Sequence, residues 1–225
     1  KGIKISSDLI NAAKHSEAFI DFSSIESTLH ASEISAQARI VHVIGTTGFS
    51  IEQEEIIKAA ARHATVIKSG NMSLGINILL GVVQNITKLV DDNWAIEISE
   101  IHHKEKKDHP SGTALALGAS VAKGKKIDLE ENKVIDDPII DAVDINLTKI
   151  RKNVVRKKDD IGFSSYRKDG VIGDHSVIFS SENERIALTH IAKNRNIFAN
   201  GALKAALWGQ NKKPGLYSMQ DVLGF

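Results

Sequence analysis

The first 70 residues alternate between strand-like and helix-like patterns, and this alternation constrains the fold more than any other feature of the chain. "EAFIDF" (17–22) is a short apolar run. "SSIESTLHASEISAQA" (23–38) follows with helical character, Ser23 and Glu26 being spaced as a capping box. "RIVHVIG" (39–45) is rich in β-branched residues. Ser50 and Gln53 form a second capping box ahead of "IEQEEIIKAAARH", where Ile56, Ile57 and Ala60 make an apolar stripe. "ATVIKSG" (64–70) is strand-like again. The connections between these strands exceed a dozen residues, which suits helical crossovers and predicts a parallel sheet. Ligands of open parallel sheets bind beyond the carboxyl ends of the strands. Two turns rich in small residues, "GTTG" (45–48) and "KSGNMS" (68–73), lie at such ends, where backbone can approach a nucleotide closely.

The pattern then changes. "MSLGINILLGVVQNITKLV" (72–90) repeats Ile76, Leu79, Leu80, Val83, Ile86 and Val90 at helical spacing, and "NWAIEISEI" (93–101) alternates as a strand. "TALALGASVA" (113–122) is helical. From 161 to 192, "IGFSSYR", "VIGDHSVIFS" and "RIALTHIAK" are strands separated by the turn signals "KDG" and "SENE", which predicts an antiparallel meander. "ALKAALW" (202–208) returns to helix, with Trp208 expected in the core. The stretch 125–160 is charged and weakly periodic, and reads as a long, partly mobile excursion. "KGKK" (123–126) and "RKNVVRKK" (151–158) read as solvated faces. His15, His30, His42 and His63 are explained by surface or helix positions, and His175 and His190 by packing or hydrogen bonding within the meander.

The densest chemistry lies in "EIHHKEKKDHPSGTALALG" (100–118). His102 and His103 sit at the exit of a strand, where adjacent side chains point to opposite faces, so the two rings are expected to do different jobs. Lys106 returns to the pocket of His102 if the loop turns. Pro110-Ser111-Gly112-Thr113 then opens a helix, whose N-terminal amides and partial positive charge suit a carboxylate or phosphate. An imidazole that titrates near neutrality beside an ammonium makes a pocket for a small anion with a proton to give. A solvated basic loop that merely caps a helix is the plainer alternative. A metal site of His102, His103, Asp108 and His109 is a third; diverging adjacent histidines and the absence of HExxH spacing count against it.

A net charge of +1 argues against a nucleic-acid or membrane-surface protein, and no apolar run approaches the roughly 20 residues of a membrane span. The absence of cysteine excludes disulfides and thiolate chemistry and fits a reducing cytoplasm. The chain starts at Lys1, and this reads as a fragment or a missing beginning.

Taken in order, "FIDFSS", "VIGTTGF", "GNMSLGINIL", "EIHHKEKKDHPSGTALALG", "GVIGDHSVIF", "LTHIAKNRNIFANGALKAALW" and "GLYSMQDVL" resemble the 4-hydroxy-tetrahydrodipicolinate reductase (dihydrodipicolinate reductase) family over most of the chain. The resemblance implies an α/β protein: a Rossmann-like nucleotide domain (1–71 with 197–225, incomplete at its start) and an α+β substrate and tetramerisation domain (72–196) with a mixed, largely antiparallel sheet. It implies hydride transfer from NADH or NADPH to an unsaturated cyclic imine with two carboxylates, on the diaminopimelate route to lysine, in a cytoplasmic homotetramer. By position, His102 corresponds to the family's acid/base and Lys106 to its proton donor. His103, Ser111, Gly112, Thr113 and Thr47 correspond to substrate contacts. Gly45, Thr46 and Thr47, with Ser69, Gly70, Asn71 and Met72, correspond to the two cofactor turns. No metal is implied.

Two departures stand out. The family's glycine-rich first turn should precede Lys1, and Ser23 and Ser24 stand where a basic residue often follows the Asp-Phe pair. A non-catalytic relative that keeps the anion pocket and the subunit interface is therefore the rival expectation.

Overall fold

The computed structural model describes residues 5–140, 146–147 and 157–225. In chain order its elements are α1 (Leu9–Lys14), β1 (Ala18–Asp21), α2 (Ile25–Ala38), β2 (Val41–Ile44), α3 (Ile51–Ala60), β3 (Thr65–Lys68), α4 (Leu74–Thr87), β4 (Ala95–His102), α5 (Gly112–Lys125), α6 (Leu129–Asn132), β5 (Lys133–Ile135), β6 (Ile139–Ile140), β7 (Ile161–Arg167), β8 (Asp174–Ser180), β9 (Arg185–Ile191), α7 (Asn196–Gly209), β10 (Gly215–Tyr217) and α8 (Met219–Leu223). They form two compact units. One comprises the chain up to Leu74 with Asn196–Phe225, the other Gly75–Arg195.

The first unit is a parallel sheet in the order β1-β2-β3-β10. Both faces are covered, which is why every residue of β2 is buried. Strand alternation divides the apolar side chains between two cores. Val41, Val43 and Ile67 pack with Ala202, Ala205 and Ala206 of α7 and Met219 and Val222 of α8. Ile44 and Val66 pack on the other side with Ile57, Ala61 and Ala64. This is a Rossmann-like arrangement. Gly201 is what lets α7 lie so close: a Cβ there would fall 1.7 Å from the Met72 carbonyl oxygen. Trp208 is half-buried against this core, edge-on to Tyr217.

Local chemistry corrects three expectations in this unit. The capping box at Ser50 and Gln53 forms. The one at Ser23 and Glu26 does not: Ser23 Oγ donates to Asp21 Oδ1 at 2.6 Å, and Ser24 caps α2 instead. Ile56 lies on the exposed side of α3, while Ile57 and Ala60 are buried. His42 is not at a surface or helix position. It is fully buried on β2, with Nε2 3.3 Å from Asp21 Oδ2 and Nδ1 3.3 Å from Ser32 Oγ.

The second unit is built on a mixed sheet in the order β5-β7-β4-β8-β9, with β6 also on β7. The 161–192 segment is thus not one meander. β4 is inserted between β7 and β8, parallel to the first and antiparallel to the second. Only "SENE" makes a hairpin, joining β8 to β9, with Ser181 N donating to Glu184 O. The physical reason is burial. Ile96 and Ile98 of β4 are apolar enough for a central strand flanked by Ile161 and Phe163 on one side and Phe179 and Val177 on the other. Leu79 and Val83 of α4 and Ala114, Leu117 and Val121 of α5 close this core. The 125–160 stretch contributes α6, β5 and β6 to the unit, with Lys125 paired to Asp159 at 2.8 Å. The remainder of that stretch, including most of "RKNVVRKK", lies outside the described residues.

Candidate active site

Three neighbouring strands of the mixed sheet change character at the same level. On β4, Ile96 and Ile98 face the core, and the same face continues into Glu100 and His102. On β7, Ile161 and Phe163 continue into Ser165 and Arg167. On β8, Phe179 and Val177 continue into His175. The register aligns these changes, pairing Glu100 with Ser165 and His175, and His102 with Arg167. The body of α5 covers the apolar rows. Its first residue is Gly112, and its cap, Ser111, reaches the polar row.

Glu100 is the hub of that row and is 1% exposed. Its Oε2 accepts from Ser111 N at 3.1 Å and its Oε1 from Ser165 Oγ at 2.9 Å. Arg167 Nη1 donates to Oε1 at 3.3 Å. His102 Nδ1 lies 3.2 Å from Oε2, close enough for charge attraction but not aligned as a hydrogen bond. Burial pushes the Glu100 carboxyl up, but His102, Ser111 and Ser165 outweigh it and hold the group down at about 2, so it is an anion at neutral pH.

The His175 ring lies edge-on to His102, with centroids 5.0 Å apart, and its Nε2 is 3.1 Å from Ser111 Oγ. Burial, and next the charge of His102, lower His175 to about 3, so its ring is neutral. Gly173 leaves room for His102: a Cβ there would lie 2.8 Å from His102 Nε2.

The predicted residues of this segment separate into two groups. His102 and Ser111 are buried in the network. His103 is half-exposed, with Nδ1 2.8 Å from Glu105 Oε2. The two adjacent histidines therefore do point to different surroundings. Lys106 does not lie in the Glu100 cluster; its ammonium is held by both oxygens of Asp108, at 2.8 and 2.9 Å. Gly112 is exposed, with open space where a side chain would be, and Thr113 is half-buried beside it. Ser111 Oγ is committed to Ala114 N as the helix cap.

Sequence reasoning missed Glu100, Ser165 and Arg167 and read His175 only as a packing residue. The available signal was parity, since each continues an apolar alternation with a polar residue.

In the first unit, the two predicted turns lie at the carboxyl ends of β2 and β3 and touch each other. Ser69 N donates to Ile44 O at 3.2 Å, and a Cβ on Gly70 would meet Thr47 Cγ2 at 3.8 Å. Gly45 N donates to Asp21 O, and Thr28 Oγ1 to Thr46 Oγ1. Ser69 Oγ donates to the Asn71 carbonyl, and Ser73 N to Asn71 Oδ1. Met72 is buried in the core, so only its backbone faces this end of the sheet. Adjoining turns of hydroxyls, amides and small residues at the sheet's carboxyl edge fit a dinucleotide.

The spacing of Glu100, His102 and His175 would also suit a cation, their ligand atoms lying within 4.8 Å of one another. The Arg167 guanidinium already supplies positive charge there. Of the set His102, His103, Asp108 and His109, only His102 belongs to that cluster.

Residues 1–72 match the family model described as dihydrodipicolinate reductase, N-terminus, and residues 75–223 match the one described as dihydrodipicolinate reductase, C-terminus. The chain belongs to the dihydrodipicolinate reductase family. Family members named 4-hydroxy-tetrahydrodipicolinate reductase include one from Parvibaculum lavamentivorans, 52% identical over 99% of this chain and 78% of that protein. Another, from Rhizobium rhizogenes, is 49% identical over 99% of this chain and 77% of that protein. Among solved structures, the dipicolinate-bound dihydrodipicolinate reductase from Paenisporosarcina sp. TG-14 aligns with a TM-score of 0.74 at 22% identity, over 98% of this chain and 82% of that one. That likeness shows the shared fold. The dihydrodipicolinate reductases are pyridine-nucleotide-dependent oxidoreductases of amino-acid biosynthesis. Among the described residues no helix is long and apolar enough to cross a membrane.

Proposed function

We propose that this chain reduces 4-hydroxy-tetrahydrodipicolinate to tetrahydrodipicolinate in diaminopimelate and lysine biosynthesis, using NADH or NADPH. The observation that carries this reading is the ionised, buried Glu100 row at the N-terminus of α5, with His102 at its edge. By holding the first turn of α5 through Ser111 N and facing the His102 ring, the Glu100 carboxylate presents the free α5 amides and a fixed imidazole, which is what binding a dicarboxylate and moving a proton require.

The turns Gly45, Thr46, Thr47 and Ser69, Gly70, Asn71, Met72 hold the cofactor, which supplies a hydride when bound. The first-turn amides of α5 at Gly112 and Thr113 take a substrate carboxylate, helped by the helix dipole. His103 adds a further substrate contact in this unit, and Ser111, committed to Ala114, Glu100 and His175, supports the helix start from behind. Lys106 Nζ is bound by one carboxylate already, that of Asp108; a substrate carboxylate is the same kind of partner and takes its place. From there Lys106 gives its proton to the substrate as it is reduced. His102, with Nδ1 turned to the Glu100 carboxylate, acts as acid/base through Nε2.

Assembly as a homotetramer in the cytoplasm is part of this reading, supported by family membership.

The test is consumption of NADH and of NADPH by the purified protein. Substrate is generated in the cuvette by the preceding synthase from aspartate semialdehyde and pyruvate. Substrate-dependent loss of reduced nicotinamide is expected. A folded protein that turns over neither cofactor would favour the non-catalytic relative instead.

A further inference from the structure

Arg167 is fully buried, and none of the chemistry above uses it. Placing a guanidinium in the interior is expensive, and an apolar side chain of similar size is often at least as stabilising. Its bonds show where it acts. Nε donates to the Lys106 carbonyl at 3.1 Å and Nη2 to the Asp108 carbonyl at 2.7 Å. Nη1 donates to the Tyr166 carbonyl and to Glu100 Oε1. One fork therefore joins the loop that carries Lys106 to the carboxylate that faces His102. Glu100, in turn, holds the start of α5 through Ser111 N.

We infer that Arg167 and Glu100 form a positioning pair, which sets the backbone of the 103–110 loop and so the place of Lys106 relative to His102. The inference rests on the reading that Lys106 delivers the proton. The planar fork is required because three carbonyls and a carboxylate must be met at once. A lysine is a point charge with three donors on one atom and cannot reach all four.

A kinetic double-mutant cycle tests it. Arg167→Lys should lower kcat by about 10²-fold, the usual consequence of misplacing a catalytic group by about 1 Å. Cofactor affinity, followed by nucleotide fluorescence, should stay within about twofold. In a Lys106→Ala background the same substitution should cost less than about threefold, because the group it positions is gone. Equal losses in both backgrounds, or no loss in either, with cooperative melting retained, would overturn the inference. If Lys106→Ala alone keeps normal turnover, the proton-delivery reading fails instead. Should Arg167→Lys not fold, Glu100→Gln is read in the same cycle. It keeps the shape and one acceptor while removing the charge, and the same outcomes decide.

Discussion

Ser111 is bonded to Glu100 through its backbone and to His175 through its side chain. The backbone N–H of Ser111 donates to Glu100 Oε2 at 3.1 Å, and the Ser111 hydroxyl lies 3.1 Å from His175, whose own Nε2 is 3.8 Å from the same oxygen. One residue caps α5 with its side chain and ties that helix to the charged end of β4 with its backbone.

Ser111→Ala separates these two functions. The bond to Glu100 survives, while the cap on Ala114 N and the contact to His175 are lost. A cap is worth about 1 kcal/mol, and a buried ring nitrogen left without its partner adds to the loss. Urea unfolding should show destabilisation of about 1–3 kcal/mol, with turnover reduced far less than in a His102 variant.

His102→Ala and Lys106→Ala should each lower kcat by about 10²- to 10⁴-fold, the range for removal of a general acid or base. Both are expected to keep a cooperative melt; among the described residues the Lys106 ammonium is bonded to the exposed Asp108 alone. Near-normal rates in both would remove the residue assignment.

Acid should destabilise the fold in two overlapping windows. The His175 ring takes a proton near its ordinary 6.5 when unfolded but only at about 3 when folded. The unfolded state therefore binds more protons between these values, and stability falls as the pH drops through them, with a slope of up to about 1.4 kcal/mol per unit. Glu100 acts in the same direction from its ordinary 4.5 down to about 2. Urea melts at pH 7.5, 6 and 5 should show falling stability, and a shallower fall in His175→Gln. Equal slopes would mean that the buried ring is not the group responsible.

Gly201→Ala should be costly although it adds a single methyl group to a helix. Its Cβ would sit on the Met72 carbonyl, a backbone atom that cannot swing aside. Overpacking of this kind costs about 1–3 kcal/mol, whereas alanine in an open helix would gain up to about 1 kcal/mol. Denaturant unfolding distinguishes the two signs directly.

The legible parts of this protein were those fixed by local chemistry. The alternation of period 2 and period 3.6 up to Lys68 specified a parallel sheet, because crossover length leaves few other solutions. Ser50 and Gln53 announced the start of α3 by the bonds they go on to make. The family motifs marked out His102, Lys106 and the turns at Gly45 and Ser69. Where two local options competed, sequence was less decisive. Ser23 and Ser24 are both competent caps, and only the position of the Asp21 carboxylate assigns them.

Tertiary structure alone decided what neighbours what. Strand parity can be read from β4, β7 and β8 separately, but register and strand order cannot. Inserting β4 between β7 and β8 is a choice made by burial of Ile96 and Ile98 on both flanks. That insertion sets Glu100 between Ser165 and His175 and puts Arg167 beside His102, across residues 65 and more apart in the chain. The sequence by itself determined most of the helices and strands and put His102 at the end of one of them. The packing of the sheet determined which buried charges hold it there, because a carboxylate in the interior is tolerated only where several distant segments bring their donors to it.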